Sequence, residues 1–272
     1  MQELTLKEIQ SVSLEILKDV HCFCEKNGIK YTLAYGTLIG AIRHRGFIPW
    51  DNDIDICMPR PDYKRFIQTY KSNSYDLAYL DSPKYDCLAT YARVFDKNTV
   101  ATNYNWIKES VGVWIDIFPL DGVPDDLSKF KTMYNRYAKI WGKLIRKKIQ
   151  FCRLSDEKNI IAKFKLFLRK CRRLNGLGGH RAYRAYNRMI QKIPFGQTKY
   201  CSQLTVMDNG PVEHIPTSMF SEMIKLNFED TEFFAVKDYD SLLKLVYNNY
   251  MELPPENQRI AHQDFIKFYK IK

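Results

Sequence analysis

Hydrophobic residues in the first part of the chain recur with the spacing of one helix face. The pattern begins at Leu6 and continues to Val20, with apolar positions three and four residues apart. Thr5 and Glu8 have the spacing of a capping box, and Asn27-Gly28 is a common helix end. The sequence therefore predicts that an amphipathic helix opens the chain and ends at this Asn-Gly pair.

After this helix, short apolar runs alternate with turn residues. A turn at Gly36-Thr37 is predicted to lead into a short helix, and Pro59 is predicted to stop a strand. The predicted strands cover 29–35, 53–59, 87–96 and 111–123, and a further helix covers 62–71. This part of the chain therefore combines strands with helices.

From Lys129 the pattern is helical again, and it breaks at 175–179 before mixed structure returns at Pro194. Two predicted apolar faces consist of Ile140, Trp141, Leu144, Ile145 and Ile149, and of Ile160, Ile161, Phe164, Phe167, Leu168 and Cys171. Lysine and arginine fill the opposite faces. Residues 129–192 hold 20 of the 42 basic residues and two of the 31 acidic ones, so this segment carries a charge of +18 and the rest of the chain −7, which together give the net charge of +11.

The composition is that of a globular protein. The 272 residues, 45% of them hydrophobic, correspond to one large domain or two small ones with a sizeable core. No segment approaches the roughly 20 apolar residues of a membrane span, and the first residues have neither the basic nor the apolar region of a signal peptide. We therefore expect a cytosolic protein. The seven cysteines are scattered and odd in number, which predicts buried free thiols rather than disulfides or a zinc site.

The most informative chemistry lies in the aspartates around the second predicted strand. Asp53 and Asp55 are two residues apart, so an extended strand presents both carboxylates on one side. Mg²⁺ prefers oxygen ligands and usually takes one or two carboxylates together with substrate phosphate oxygens. Asp116, in an apolar strand, is predicted to add a third carboxylate, as a metal ligand or as a general base. Asp51 precedes the strand and fits either a supporting role at the site or a structural turn.

Gly36 and Thr37 complete this pattern. Glycine lets a phosphate approach the backbone, and the start of the following helix offers N–H groups to it, with the Thr37 hydroxyl as a further donor. The spacing from Gly-Thr to "DIDI" and to a later apolar-flanked Asp resembles the nucleotidyltransferase superfamily. More narrowly, three blocks resemble the LicD family of phosphocholine and related polyol-phosphate transferases. They are "YGTLIGAIRHRGFIPWDNDIDICMPRPDY", "VGVWIDIFPLDGVP" and "YMELPPENQRIAH".

The resemblance implies the α/β (α+β) class, with a nucleotidyltransferase-like mixed sheet, flanking helices and a basic helical insertion. It implies metal-dependent transfer of phosphocholine from CDP-choline to a sugar hydroxyl of a cell-surface glycan, such as lipopolysaccharide or teichoic acid, or of its lipid-linked precursor, with release of CMP. Asp53, Asp55 and Asp116 are then the catalytic metal ligands, and Mg²⁺, or Mn²⁺ in its place, is the cofactor. Gly36 and Thr37 bind phosphate.

The chain departs from the family pattern at two places. Asn52 stands where the family often has Asp, and its side chain is expected to face away from the metal site. The family usually has Tyr-Gly before the "YM" pair, whereas here Tyr247 is followed by Asn248 and Asn249, and asparagine tolerates the left-handed backbone that glycine allows.

Several further residues have two interpretations. Arg43 is predicted to clamp a phosphate, against a solvated helix end, and Arg93 either faces the nucleotide or pairs with an acid. His262, in the third block, is an active-site or a structural histidine. A quaternary ammonium group would need an aromatic cage. The candidates by residue type are Trp50, Trp106, Trp114, Tyr247 and Tyr250.

We predict three parts: a catalytic core at 1–128, a basic helical insertion at 129–192, and a C-terminal part at 193–272 that completes the catalytic domain. The insertion is predicted to contact an anionic membrane surface, at the inner face of the cytoplasmic membrane, because its apolar and basic faces match interfacial helices. Nucleic acid is not an expected partner. The alternatives are transfer of glycerol or ribitol phosphate by the same fold and, from another class, a catalytically idle membrane- or nucleic-acid-binding protein.

Overall fold

The computed structural model describes residues 1–102, 107, 110–145, 179–208, 210–259 and 266–271. The helices in these ranges are α1 Leu6–Asn27, α2 Tyr35–Arg43, α3 Arg60–Thr69, α4 Leu127–Ile145, α5 Gly179–Ile190 and α6 Tyr239–Tyr247. The strands are β1 Gln2–Glu3, β2 Thr32–Leu33, β3 Asp55–Pro59, β4 Tyr75–Ala78, β5 Ala92–Asp96, β6 Thr99–Thr102, β7 Trp114–Val123, β8 Tyr200–Gln203, β9 Ile215–Pro216, β10 Met223–Phe228, β11 Thr231–Val236 and β12 Lys267–Lys270.

A mixed sheet forms the centre of the molecule, in the order β2-β3-β7-β5-β4. Strands β3 and β7 are parallel, whereas the other pairs in the sheet are antiparallel. On its other side β7 pairs first with β5 and then with β8, and all ten of its residues are buried. The predicted α/β class with a mixed sheet is confirmed.

Helix α1 follows its predicted bounds. The Thr5 hydroxyl accepts a hydrogen bond from the Glu8 N–H, and the Glu8 carboxylate accepts one from the Thr5 N–H, so the capping box is formed. Gly28 ends the helix in the left-handed conformation, at φ 59°. The apolar face, which includes Ile16 and Val20, is fully buried. The capping box and the Asn-Gly pair, which the sequence indicated as helix ends, therefore do begin and end this helix.

Some element boundaries differ from the prediction near the aspartates. Strand β2 has two residues, and α2 begins at Tyr35, so Gly36 and Thr37 belong to the first helical turn rather than to a turn before it. Strand β3 begins at Asp55, which leaves Asp53 in the preceding loop. Strand β2 pairs with Ile56 and Cys57, and the pairing of β3 with β7 begins at Asp55, so neither pairing extends back to Asp53.

The cysteines follow the prediction with one exception. Among the described residues, Cys24, Cys57, Cys87 and Cys201 are buried free thiols. Cys22 is a free thiol too, but it is exposed, because it lies two positions from Cys24 on α1 and so points to another side of the helix. Cys152 and Cys171 lie outside the described residues.

Two hydrophobic cores organise the chain. The larger surrounds the central sheet. The smaller lies where α4 meets α5 and contains Phe130, Tyr134, Tyr137, Leu144, Tyr183, Tyr186 and Ile190. The described part of the basic segment therefore turns its apolar side inward and its lysines and arginines outward. The predicted face that includes Ile160 and Phe164, and also Ile149, lies outside the described residues. No described helix is both long and apolar enough to span a membrane.

Candidate active site

The parallel pairing of β3 and β7 brings two of the predicted carboxylates together. Asp55 is directly opposite Asp116 in the register of these strands. The first residue of β3 is fixed on both sides: the Asp55 N–H donates to Thr37 Oγ1 at 2.9 Å, and its carbonyl oxygen accepts from the Ala34 N–H at 3.0 Å. Thr37 is buried and ties α2 to β3. The sequence thus builds a rigid mount for Asp55.

A cavity of about 320 Å³ opens beside this mount. Its described lining combines acidic, aromatic and polar side chains with one glycine: Tyr35, Gly36, Trp50, Asp51, Asp53, Asp55, Phe118, Gln203, Val206, Asp208 and Tyr247. None of these lining residues is a lysine, an arginine or a histidine. Three aspartates of the first signature block therefore share one cavity, although only Asp55 is in a strand.

Gly36 allows Asp51 to reach the start of α2. A Cβ atom at Gly36 would lie 2.8 Å from Asp51 Oδ2, closer than ordinary packing permits. The loop that carries Asp51 is held by the Gln10 side-chain amide, which donates to the Asp51 carbonyl oxygen at 2.8 Å. The partial positive charge at the helix start favours a carboxylate at this position. In the described structure Gly36 thus admits a carboxylate, and its predicted contact with phosphate stays a prediction.

The site concentrates negative charge. Burial raises the pKa of Asp55 well above its usual range, and the charges of Asp53, Asp116 and Asp51 raise it further. Burial also raises the pKa of Asp51. Such a cluster is electrostatically unfavourable unless positive charge is added to it or one of its members is protonated.

Asp116 has a positive partner, Arg93. The Arg93 Nε donates to Asp116 Oδ1 at 2.5 Å and Nη2 donates to Oδ2 at 3.3 Å. The guanidinium also donates to the Tyr91 hydroxyl at 2.6 Å and lies 5.0 Å from the ring centroid of Trp114. Burial opposes the charge on Arg93, but Asp116 raises its pKa overall. Arg93 had two interpretations, a contact with the nucleotide or an ion pair with an acid. In the described structure it forms the ion pair.

The donor set suits a divalent cation that takes two protein carboxylates. Within the described ranges, no three His, Cys, Asp or Glu side chains are grouped so as to hold a metal by themselves. Asp53 and Asp55 line one cavity, lie among other negative charges, and leave the remaining positions to oxygens of a substrate. This matches the usual mode of Mg²⁺ binding. Both oxygens of Asp116 already accept from Arg93, so its role as a third ligand stays a prediction.

Other predicted residues lie away from the cavity. The Arg43 Nη1 donates to the carbonyl oxygens of Tyr250 and Glu252, at 2.9 and 3.2 Å, and so holds the third signature block against α2. Its predicted phosphate contact remains a prediction, as does that of Thr37. Of the aromatic candidates, Trp50 and Tyr247 line the cavity, whereas Trp114 and Tyr250 are buried elsewhere. His262 and Trp106 lie outside the described residues.

Sequence reasoning missed part of the lining. Tyr35 and Phe118 lie inside the signature blocks, next to residues that were singled out, and their apolar character indicated core positions. Gln203 and Asp208 belong to "CSQLTVMDNG", a stretch without a recognisable motif, and they reach the cavity because β8 pairs with β7. Only the pairing of strands distant in sequence identifies these two residues.

Comparisons with known proteins give consistent matches. Residues 28–152 match the family model described as LicD/FKTN/FKRP, nucleotidyltransferase domain. The chain is 32% identical over 271 residues to the lipopolysaccharide cholinephosphotransferase LicD of Haemophilus influenzae, covering 96% of this chain and 97% of that protein. An uncharacterized protein of Rickettsia typhi is 44% identical over 64 residues, which are 23% of this chain and 21% of that protein.

Proposed function

The chain belongs to the LicD family, and from this premise we propose that it transfers phosphocholine from CDP-choline to a sugar hydroxyl of a cell-surface glycan or of its lipid-linked precursor, releasing CMP. Family membership makes it a phosphotransferase. Phosphocholine transfer onto lipopolysaccharide is the activity named for its full-length relative in Haemophilus influenzae.

The observation that carries the proposal is the match over 96% of the chain and 97% of that relative. It includes the cavity residues on both sides of the basic segment, from Tyr35 to Tyr247. The shared cavity of Asp51, Asp53 and Asp55 supports the same chemistry. Phosphate groups in a cavity walled by carboxylates repel the protein unless a cation lies between them, so a nucleotide diphosphate donor requires a divalent metal here.

In the proposed mechanism Asp53 and Asp55 would hold Mg²⁺, or Mn²⁺ in its place. The metal would neutralise the diphosphate and stabilise the CMP leaving group. Thr37 and the β3–β7 ladder keep Asp55 in place, and Arg93 forms an ion pair with Asp116 beside it. Burial raises the pKa of Asp116, and the Arg93 guanidinium only partly opposes this rise. Asp116 is not among the described residues that line the cavity, so we assign the proton of the attacking sugar hydroxyl to a carboxylate that does line it.

The test measures CMP release in the presence of Mg²⁺ and lipid-linked glycan acceptors. CDP-choline, CDP-glycerol and CDP-ribitol are compared as donors. Asp53→Asn is expected to lower turnover of CDP-choline by about 100-fold or more, since the metal contributes several kcal/mol to the barrier. Asp230→Asn, at an exposed aspartate in the turn between β10 and β11, is the matched control and is expected to retain activity.

Each result has a definite meaning. Release from CDP-choline that is lost in Asp53→Asn supports the proposal. Release only from CDP-glycerol or CDP-ribitol moves the donor to the polyol alternative and keeps the mechanism. No release from any donor, with intact binding to anionic vesicles, favours the idle binder. Undiminished turnover in Asp53→Asn contradicts the assigned role of this aspartate.

We also propose that the basic segment at 129–192 contacts an anionic membrane at the cytoplasmic face. The support is its charge, with 20 basic and two acidic residues, and the outward direction of the lysines on α4. A lipid-linked acceptor would be presented at such a surface.

A further inference from the structure

Four aromatic residues line the cavity beside its carboxylates, together with Gly36, Gln203 and Val206. They are Tyr35, Trp50, Phe118 and Tyr247. They come from four separate places in the sequence: the start of α2, the loop before β3, the middle of β7 and the end of α6. Since these rings share one cavity with Asp53 and Asp55, a ligand whose phosphate lies near the carboxylates has its head group within reach of the rings.

The ring of Tyr35 is held in place from both ends. Its backbone has a φ of 49°, in the left-handed region that bulky residues rarely adopt. A conformation of this kind is strained and persists only where surrounding contacts determine it. Here the Tyr35 hydroxyl donates to the buried Glu213 carboxylate at 3.2 Å, and the ring packs edge-on against Phe118 at 5.8 Å between centroids. The ring is therefore preorganised rather than adaptable.

Two of the other three rings are accessible to a ligand, whereas Phe118 is buried. Tyr247 is 38% exposed, and Trp50 is half-buried. The guanidinium of Arg259 lies 5.6 Å from the Trp50 ring centroid, so this indole already accepts a cation on its ring system. Tryptophan and tyrosine are the rings to which cations bind best.

The charge of the cavity selects among head groups. Its described lining contains Asp51, Asp53, Asp55 and Asp208 and no basic residue, so a cationic group is attracted and an anionic one repelled. A quaternary ammonium has a positive charge, apolar methyl groups and no hydrogen-bond donor, which suits aromatic faces beside carboxylates. A polyol head group is neutral and needs a hydrogen-bond partner for each hydroxyl, which ring faces do not supply.

We propose that Tyr35, Trp50 and Tyr247 form the pocket that binds the trimethylammonium group of the donor and thereby select choline over a polyol. This inference rests on the proposed function, since it assigns the head-group end of the same site. The cavity volume of about 320 Å³ lies at the lower end of the range of small-molecule sites and suits a compact head group.

The experiment measures dissociation constants by titration calorimetry on the full chain with Mg²⁺. The ligands are CDP-choline, CDP-glycerol and, as the shared nucleotide part, CMP. The variants are Tyr247→Leu, which removes the ring but keeps an apolar side chain, and Tyr247→Phe, which keeps the ring and removes the hydroxyl. Trp50→Leu and Trp50→Phe form a second pair. Circular dichroism confirms that each variant is folded.

We expect Tyr247→Leu to weaken the binding of CDP-choline by about 5- to 30-fold, the size of a cation–π contact, and to leave the binding of CMP unchanged. Tyr247→Phe is expected to stay within about twofold of the unmodified protein for both ligands, because it keeps the ring face. If both Leu variants lose affinity for CDP-choline and for CMP by the same factor, or lose neither, the ratio of the two dissociation constants is unchanged. That result overturns the proposed pocket.

The two proposals fail separately. If the unmodified protein releases CMP from CDP-choline but both Leu variants keep its preference for CDP-choline over CMP, the pocket is wrong and the function stands. If ring-dependent binding of CDP-choline is present without CMP release to any acceptor, the pocket stands and the function is wrong.

Discussion

At the scale of single residues, the least expected feature is a buried histidine in the core beside α1. His21 is 6% exposed and lies against Phe233 and Phe234. Its Nδ1 is 2.7 Å from the Tyr31 hydroxyl, which accepts from the Phe234 N–H and so has its own proton to donate to the imidazole. Protonation of Nδ1 would break this bond and place a charge among aromatic rings.

Acid is therefore expected to destabilise the fold through His21. Burial lowers its pKa below 6.5; the nearby Glu25 partly opposes the shift, and Lys225 adds to it. Between the folded pKa and 6.5 the unfolded chain binds more protons, so the contribution is complete above pH 6.5 and is lost as the pH falls below it. Urea unfolding between about pH 5 and pH 7.5, above the range of ordinary carboxyl groups, is the measurement.

The matched variant is His21→Gln, which can still accept the Tyr31 proton but does not titrate. We expect the free energy of unfolding of the unmodified protein to fall faster on acidification than that of the variant. His44, whose pKa burial and Arg43 also lower, titrates in both proteins and cancels in the difference. Parallel pH profiles for the two proteins would contradict this assignment.

Residue-level prediction succeeded where the chemistry follows a strand. Asp55 and Asp116 were expected to be near each other because both lie in apolar strands, and they are register partners. The sequence alone does not identify the partner of Arg93, since the ion pair with Asp116 joins residues 23 positions apart across a strand pairing that the sequence does not specify. The carbonyl partners of Arg43 lie more than 200 positions away, beyond any local pattern.

At the scale of elements, α2 depends on a close approach that a single methyl group would prevent. A Cβ atom at Gly40 would lie 2.4 Å from the Gly46 carbonyl oxygen and 3.4 Å from the Ile48 backbone nitrogen. Neither atom belongs to a flexible side chain. We expect Gly40→Ala to lower the free energy of unfolding by about 1–3 kcal/mol through overpacking.

The matched control for this change is Gly142→Ala in α4, where a Cβ atom would meet nothing within 4 Å. There the higher helix propensity of alanine is expected to stabilise the fold by up to about 1 kcal/mol. Urea denaturation of the two variants is therefore predicted to give opposite signs. Equal effects would mean that helix propensity, and not packing against Gly46, governs α2.

Elements with strong local signals were predicted best. Helix α1 has a capping box and a terminal glycine, and β7 is a long, mostly apolar run that only Asp116 and Asp121 interrupt with charge, so both appear close to their expected bounds. The hairpin of β10 and β11 was not predicted, although its strands pair over six residues. Apart from Phe228 at its end, β10 has no fully buried residue, which gives its sequence a weak alternation. Short strands such as β2 exist only through their partners.

At the scale of the whole molecule, the two cores change the argument for membrane association. The prediction was based on apolar faces beneath basic ones, but the described apolar face of α4 packs against α5 in the smaller core. On α4, the side chains that remain free to contact a membrane are therefore basic ones. The exposed basic residues of this helix are Lys129, Lys131, Arg136, Lys139 and Lys143. Attraction through charge alone acts over about a Debye length and is screened by salt.

The full chain is therefore expected to bind phosphatidylcholine vesicles only when phosphatidylglycerol is included, and to be released as salt rises from about 0.1 M to about 1 M. The test variant changes Lys131, Arg136 and Lys139 to Gln, and the matched control changes the exposed Lys7, Lys26 and Lys30 to Gln. Since each basic residue near an anionic surface contributes about 1 kcal/mol, the first variant should bind on the order of 100-fold more weakly in a vesicle flotation assay. Binding that persists at high salt would mean that an apolar surface inserts into the bilayer. Equal losses in both variants would mean that the net charge of the molecule, rather than the position of α4, brings the protein to the membrane.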